Sequence, residues 1–225
     1  MLAVIVLVEF KPQHLGYGLS RFVLGRFPLR HVTGLRFSKL LGSGHEGGFG
    51  LKPSASRQGL FLLFDDEALA DAFLHHGPLM AAYRARAQEF FYCKLIACSC
   101  KGSWAGVSLP VEAVPPEQGP IAALTRASIR PSKALAFWRN SPAAENSLAA
   151  AQGCRIAVGL GEAPFFRQAT FSIWDSVHDM NRYARSGAHL QAIQAALQQG
   201  HFAESMFARF VPVTAQGVWK GKVFR

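Results

Sequence analysis

Continuous and alternating runs of hydrophobic residues divide the chain into two halves of similar pattern. The first run, Leu2 to Val8, is apolar and rich in β-branched residues, which predicts a buried strand. It is too short for a signal peptide, Glu9 ends it, and no basic segment precedes it. No stretch approaches the roughly 18 to 20 apolar residues that cross a bilayer. We therefore expect a soluble or peripheral protein.

A segment rich in Pro and Gly, Leu109 to Pro120, separates the two halves. Such a composition is typical of a linker. The pattern therefore predicts a first repeat over residues 1–108, a linker over 109–119 and a second repeat over 120–225.

The two halves align without a gap over their most regular part. The motif Phe61-Leu-Leu-Phe64 precedes Asp65, and Phe171-Ser-Ile-Trp174 precedes Asp175. The aligned pairs are Phe61 and Phe171, Phe64 and Trp174, Asp65 and Asp175, Phe73 and Tyr183, and Gly77 and Gly187. Self-similarity of this kind indicates an internal duplication.

Each half is predicted as strand, helix, strand, strand, helix, strand, which is the split βαβ or ferredoxin-like order of the α+β class. In the second half the expected elements are a strand over 121–129, a helix from Pro131, strands over 154–158 and 166–173 turned by Gly159-Leu-Gly161 and Pro164, a helix capped by Asp175 or Ser176, and a strand over 204–213.

Composition narrows the class of protein. Half of the residues are hydrophobic and 17% are charged, which excludes a disordered chain, and the 18 Phe suit either a thick core or an apolar pocket. The net charge of +10 suits an anionic partner, but the basic residues are scattered and no nucleic-acid motif occurs. Four Cys without metal-site spacing predict buried free thiols in a reducing cytoplasm.

The candidate chemistry lies in the second half, around Pro164 to His201. The repeat aligns Leu79 with His189, so a ligand-capable residue occurs in one copy only. On a helix over 188–198, His189 falls roughly 40° from Ile193, at the margin of the apolar stripe. Neighbouring alanines keep that helix surface flat, so His189 could bind a haem iron, with a structural role as the alternative.

Other polar residues carry weaker signals. Arg167 lies in an apolar strand, where a salt bridge, a cofactor propionate or a distal ligand would each suit a cation. His178, His201 and the His75-His76 pair are weaker candidates. The glycine-rich stretches lack phosphate-loop spacing.

Several longer motifs carry a family resemblance. Phe37-Ser-Lys-Leu-Leu-Gly-Ser-Gly44, Gly47-Gly-Phe-Gly50 and Arg167-Gln-Ala-Thr-Phe-Ser-Ile-Trp174 resemble the spheroidene monooxygenase family of carotenoid ketolases. Tyr183-Ala-Arg-Ser-Gly-Ala-His189 and Glu204 to Phe210 extend the match over nearly the whole chain.

The resemblance implies two fused ferredoxin-like repeats packed as a pseudo-dimeric α/β barrel with haem b. It implies oxidation of an acyclic carotenoid at C-2 to the hydroxy and then the keto product, using O2 and a ferredoxin-type electron donor. His189 would be the metal ligand, and Arg167 the catalytic or propionate partner. The residues expected to line the cofactor pocket, with ordinary core packing as the alternative, are Phe171, Trp174, Tyr183, Ile193 and Phe207.

Two alternatives stay open. Other haem chemistry is known on ferredoxin-like folds, such as aldoxime dehydration or breakdown of peroxide or chlorite, and a fold does not fix a reaction. The second alternative is a non-catalytic module that binds haem or an apolar ligand. A cytoplasmic location with peripheral contact to the inner face of the membrane is expected from the basic charge, and a homo-oligomer is left open.

Overall fold

The computed structural model describes residues 1–45, 48, 52–138, 148, 151–163, 166–185, 190 and 200–225. In the first repeat the elements are β1 (Leu2–Phe10), α1 (Leu15–Leu24), α2 (Arg26–Leu29), β2 (Leu35–Gly44), β3 (Pro53–Phe64), α3 (Glu67–His76), α4 (Pro78–Arg86) and β4 (Ala87–Gly102). In the second they are β5 (Ile121–Ile129), β6 (Cys154–Ala163), β7 (Arg167–Trp174), α5 (Val177–Ala184), β8 (Phe202–Trp219) and β9 (Lys222–Phe224). The predicted α+β class is confirmed.

Both repeats show the ferredoxin-like order of strands. The strands of the first repeat are ordered β4-β1-β3-β2, and those of the second are ordered β8-β5-β7-β6. These two groups of four strands are called the first sheet and the second sheet. A 3-10 turn at Pro131–Lys133 opens the helical residues 134–138, so the predicted helix start at Pro131 is confirmed. Residues 109–120 contain no helix or strand.

The chain forms two compact units. One comprises Met1–Gly42, Ser54–Ile96 and Pro212–Arg225, and the other comprises Ser43–Pro53 and Ala97–Val211. The core of the first unit lies between its sheet and the helices α3 and α4. The sheet contributes alternate residues of β1 and β3, and the helices contribute Phe73, Leu74, Met80 and Tyr83.

The second unit has a smaller described core on the helix-facing side of its sheet. Trp174 at the end of β7 packs there with Ile121 of β5 and Met180 of α5. Ser176 caps α5, since its side chain accepts a hydrogen bond from the main-chain N–H of Asp179. This confirms one of the two predicted caps.

Two expectations about the second sheet are wrong. Gly159 and Gly161 do not turn the chain, because they lie inside β6 and continue the ladder opposite Thr170 and Gln168 of β7. Pro164, the other residue expected at this turn, lies outside the described residues. Gly159 is also held by Ser43, whose Oγ donates to its carbonyl oxygen at 2.8 Å. The last long strand extends well beyond the predicted Val213, because β8 continues to Trp219.

Candidate functional site

Trp174 and Tyr183 form an aromatic pair on the helix-facing side of the second sheet. Their ring centroids lie 5.3 Å apart, with an angle of 32° between the planes. The indole Nε1 of Trp174 donates to the Oγ of Ser172 at 2.9 Å. Trp174 is almost fully buried and Tyr183 is half-buried. The hydrogen bond and the ring contact therefore fix the orientation of the indole, while Tyr183 stays partly accessible to solvent.

Phe207 lies on the same side of this sheet. It pairs across the strands with Thr125, and Thr125 pairs with Thr170. Directly paired residues share a face, and side chains two residues apart on a strand also do so. Thr170 and Trp174 are therefore on one face, and Phe207 belongs to it. Of the predicted site residues, the structure thus brings Trp174, Tyr183 and Phe207 to one side.

Phe171 and Arg167 project from the opposite face of β7, because each is separated from Trp174 by an odd number of positions along the strand. Phe171 is buried and pairs with Leu124 and Val158. Arg167 is exposed at the start of β7, opposite Ser128 of β5. The structure therefore does not place these two residues with Trp174.

Two predicted residues, His189 and Ile193, lie outside the described residues. Of the weaker histidine candidates, His178 is largely exposed on α5 and His201 is buried. Leu79, the residue that the repeat aligns with His189, is buried in the core of the first unit.

The helix-facing positions of the two sheets differ in size, which the sequence analysis did not detect. The cross-strand pairs of β1 with β3 can be matched to those of β5 with β7 by placing Phe64 at the position of Trp174. At these positions the first repeat has Val4, Val6, Val8, Leu60 and Leu62, and the second has Ala123, Thr125, Ala127, Thr170 and Ser172. All five residues of the first repeat are fully buried, whereas Ala123, Thr125 and Thr170 of the second are half-buried. Register-based alignment of the halves would have shown this difference.

The opposite face of the second sheet carries a buried ion-pair network. The Arg126 guanidinium contacts Glu204 Oε2 at 2.5 Å and Glu162 Oε1 at 3.5 Å. Burial alone would raise the pKa of Glu204, but hydrogen bonds from Gly106, Ser103 and Arg126 outweigh that effect and hold it at about 2. The guanidinium pairs with both carboxylates, which favours a structural role for this network.

The four cysteines are free thiols, as predicted, but only Cys93 and Cys98 are buried, whereas Cys100 and Cys154 are half-buried. Burial raises the pKa of Cys93 to about 12 and also raises that of Cys98, so neither is a reactive thiolate at neutral pH. Within the described ranges, no cluster of three His, Cys, Asp or Glu side chains could hold a metal ion. None of the described helices combines the length and the apolarity needed to cross a membrane.

Comparison with known proteins identifies the family, although no family model matches the chain. The spheroidene monooxygenase of Rubrivivax gelatinosus is 54% identical over 219 residues, which are 97% of this chain and 85% of that protein. The chain belongs to the spheroidene monooxygenase family. A second member, from Rhodobacter capsulatus, is 39% identical over 91% of this chain and 86% of its own length.

Solved structures support the fold of this spheroidene monooxygenase family member. An aldoxime dehydratase crystallised with butyraldoxime aligns over 94% of this chain and 79% of its own, with a TM-score of 0.59 and 10% identity. A second aldoxime dehydratase structure aligns with a TM-score of 0.58. At such low identity the likeness concerns the fold alone, and it agrees with the predicted fold class.

Proposed function

We propose that this chain is a haem-dependent monooxygenase that oxidises an acyclic, spheroidene-like carotenoid at C-2 to the hydroxy and then the keto product. O2 is the oxidant, and a ferredoxin-type protein supplies the electrons. The oxygenase activity and the carotenoid substrate are supported by family membership, since the relatives that match over nearly the whole chain are spheroidene monooxygenases.

The observation that supports a bound macrocycle is the loss of side-chain volume on the helix-facing side of the second sheet. Valine and leucine fill this side in the first repeat, whereas alanine, threonine and serine replace them in the second. A large apolar ligand needs a concave site lined by a few aromatic groups. Trp174, Tyr183 and Phe207 are on the same side and suit that role. The residues present therefore fit a planar cofactor between sheet and helices.

His189 is the residue that we propose would bind the haem iron. Its equivalent, Leu79, belongs to the core between sheet and helices of the first unit. At the equivalent position of the second repeat, a histidine would provide a metal-binding group in place of an apolar core contact. The second repeat is also the one with the smaller side chains on the helix-facing side of its sheet. Haem held by histidine would supply the activation of O2.

The protein's own residues would exclude water and orient the substrate. The hydrogen bond from Trp174 to Ser172 fixes the indole, and Tyr183 packs against it, which gives a rigid apolar wall. Phe171 would support that wall from the other face of β7. The proposed roles of Arg167, as propionate partner or distal donor, and of Ile193, as a pocket residue, stay predictions.

A haem-binding experiment tests the proposal. We expect protein expressed with ample haem to show a Soret band, and His189→Ala to lose it while retaining the wild-type circular dichroism spectrum. His178→Ala is the matched control, because this exposed histidine on α5 is expected to leave the band unchanged. A Soret band that persists in His189→Ala would refute His189 as the ligand of the iron. A wild-type protein that binds no haem would refute haem as the cofactor.

The reaction is tested separately. The haem-loaded, reduced protein is expected to convert an acyclic carotenoid to its ketone only when both O2 and a reductant are present. Turnover of an aldoxime, peroxide or chlorite without ketone formation would favour the alternative haem chemistries, and haem binding without any turnover would favour a binding module.

A surface on α1 and α2 supports peripheral contact with a membrane, where a carotenoid substrate dissolves. Five large apolar side chains are exposed there: Leu19, Phe22, Val23, Leu24 and Phe27. Residues 10–45 contain six Lys and Arg and no Asp or Glu. Exposed apolar groups flanked by arginines are typical of helices that lie in the interface of an anionic bilayer.

A further inference from the structure

The first repeat neutralises a cation on the helix-facing side of its sheet. Lys94 of β4 is nearly buried, and its Nζ lies 2.5 Å from Glu67 Oε1 and 3.0 Å from Asp71 Oδ1. Both carboxylates belong to α3. Burial alone would lower the pKa of Lys94, but these hydrogen bonds raise it, so the ammonium group is charged and paired.

The second repeat keeps the cation and lacks both carboxylates. Lys94 pairs with Val4 of β1, and the equivalent pair in the second sheet is Arg209 with Ala123. The gap-free alignment of α3 with α5 replaces Glu67 by Val177 and Asp71 by Asn181. A neutral side chain therefore stands at each position where the first repeat has an acid.

Arg209 is half-buried, and its Nη2 donates to Asn181 Oδ1 at 3.1 Å. In the part of the chain that the structure describes, it forms no ion pair. Arg209 pairs with Ala123 and lies two residues from Phe207, so it is on the helix-facing side with Trp174. A partly buried guanidinium is stabilised by a carboxylate, which its planar donors bind in a forked geometry.

We propose that Arg209 binds a carboxylate of the cofactor, which in haem b is a propionate. The inference rests on the proposed haem function, since it assigns the anion-binding residue of that same site. This contact would account for the absence from α5 of the two acids that α3 carries. A carboxylate at position 177 or 181 would compete with the ligand for the arginine.

Titration of the haem-free protein with hemin, followed by absorbance, tests this proposal. Loss of one charge-assisted contact in Arg209→Gln is expected to weaken binding roughly 10-fold or more. Asn181→Asp is a second variant, because it keeps Arg209 and restores the acid of the first repeat. It is expected to weaken hemin binding while leaving the fold intact. Lys101→Gln, which removes one positive charge from an exposed position, is the control and should bind as the wild type does.

Hemin dimethyl ester, in which both propionates are esterified, separates this contact from the rest of the site. Wild type and Arg209→Gln are expected to bind the ester equally well. The haem function stands if the wild type binds hemin and His189→Ala does not. If, in that case, Arg209→Gln and Asn181→Asp both bind hemin as tightly as the wild type does, the Arg209 assignment alone is overturned. A wild-type protein that binds neither hemin nor its ester overturns the haem function and this inference together.

Discussion

Asp65 and Asp175 make the same main-chain contact in the two repeats. The N–H of Asp65 donates to the carbonyl oxygen of Gly34 at 3.0 Å, and the N–H of Asp175 donates to that of Gly153 at 2.8 Å. Both glycines have a positive φ, of 72° and 76°. Each contact joins the strand that ends at the aspartate to the start of the preceding strand, so the duplication extends to individual hydrogen bonds.

Each of these aspartates also binds an arginine two residues after the glycine. Arg36 Nε contacts Asp65 Oδ1 at 2.7 Å, and Arg155 pairs with Asp175 in the same way. The hydrogen bond from Arg36 lowers the pKa of Asp65. Both pairs are accessible to solvent, so we expect them to set the local geometry more than the stability.

Gly153→Ala is expected to destabilise the protein by about 2 kcal/mol or more. An L-residue at positive φ costs roughly 1–2 kcal/mol, and the added Cβ would lie 2.7 Å from the Cβ of Asp179 on α5. Denaturant unfolding measures the loss. Gly119→Ala is the matched control, because Gly119 has a φ of 96° with nothing within 4 Å of the added Cβ. Equal losses in the two variants would show that contact with α5 contributes nothing.

The sequence revealed only part of this repeat. The gap-free alignment matched Asp65 with Asp175 because α3 and α5 follow their strands at once. It could not match Gly34 with Gly153, since the hairpin before Asp65 is longer than that before Asp175. The length of a surface loop can change between the two repeats. The hydrogen bond that joins the two strand ends is kept in both.

The candidate site was predictable to a similar extent. Residue type identified Trp174 and Tyr183, but it did not separate them from Phe171 and Arg167, which alternation along β7 places on the other face. The small residues Thr125 and Thr170 gave no signal on their own. The gap-free alignment already matches Thr170 with Leu60, whereas the match of Thr125 with Val6 is supplied only by the cross-strand pairs.

Glu204→Gln is expected to destabilise the protein at neutral pH by roughly 1–3 kcal/mol, because it removes a charged acceptor from Arg126 and Ser103. The folded-state pKa of about 2 lies below the ordinary value of 4.5. The stabilisation is therefore fully present above pH 4.5 and is lost as the pH falls towards 2.

Unfolding free energies measured from pH 7 to pH 2 check this expectation. The wild type should lose stability steeply below pH 4.5, and the curve for Glu204→Gln should be flatter. Glu117→Gln, at an exposed carboxylate, is the control and should follow the wild type. Parallel curves for Glu204→Gln and wild type would contradict the assigned pKa.

Thr170→Leu combined with Ala123→Val is expected to abolish hemin binding without unfolding the protein. These changes restore the residues that fill the equivalent positions of the first repeat, Leu60 and Val4. Absorbance titration measures binding, and circular dichroism checks the fold. Thr170→Val is the matched control, since it removes the hydroxyl at nearly constant volume and should retain binding. Unchanged hemin affinity in the double variant would show that the cofactor does not use this side of the sheet.

Vesicle sedimentation tests the surface on α1 and α2. Wild type is expected to bind vesicles that contain anionic phosphatidylserine and to bind neutral phosphatidylcholine vesicles weakly, since each basic residue near an anionic surface contributes about 1 kcal/mol. Phe22→Ser with Phe27→Ser should lose most of the binding, and Arg26→Gln with Arg30→Gln should lose the preference for anionic lipid. Val114→Ser is the control, because Val114 is an exposed apolar residue elsewhere in the chain. If the wild type proves to be a dimer, the Phe variant is a monomer and the two sediment equally with vesicles, the surface joins two copies of the chain and the membrane assignment is wrong.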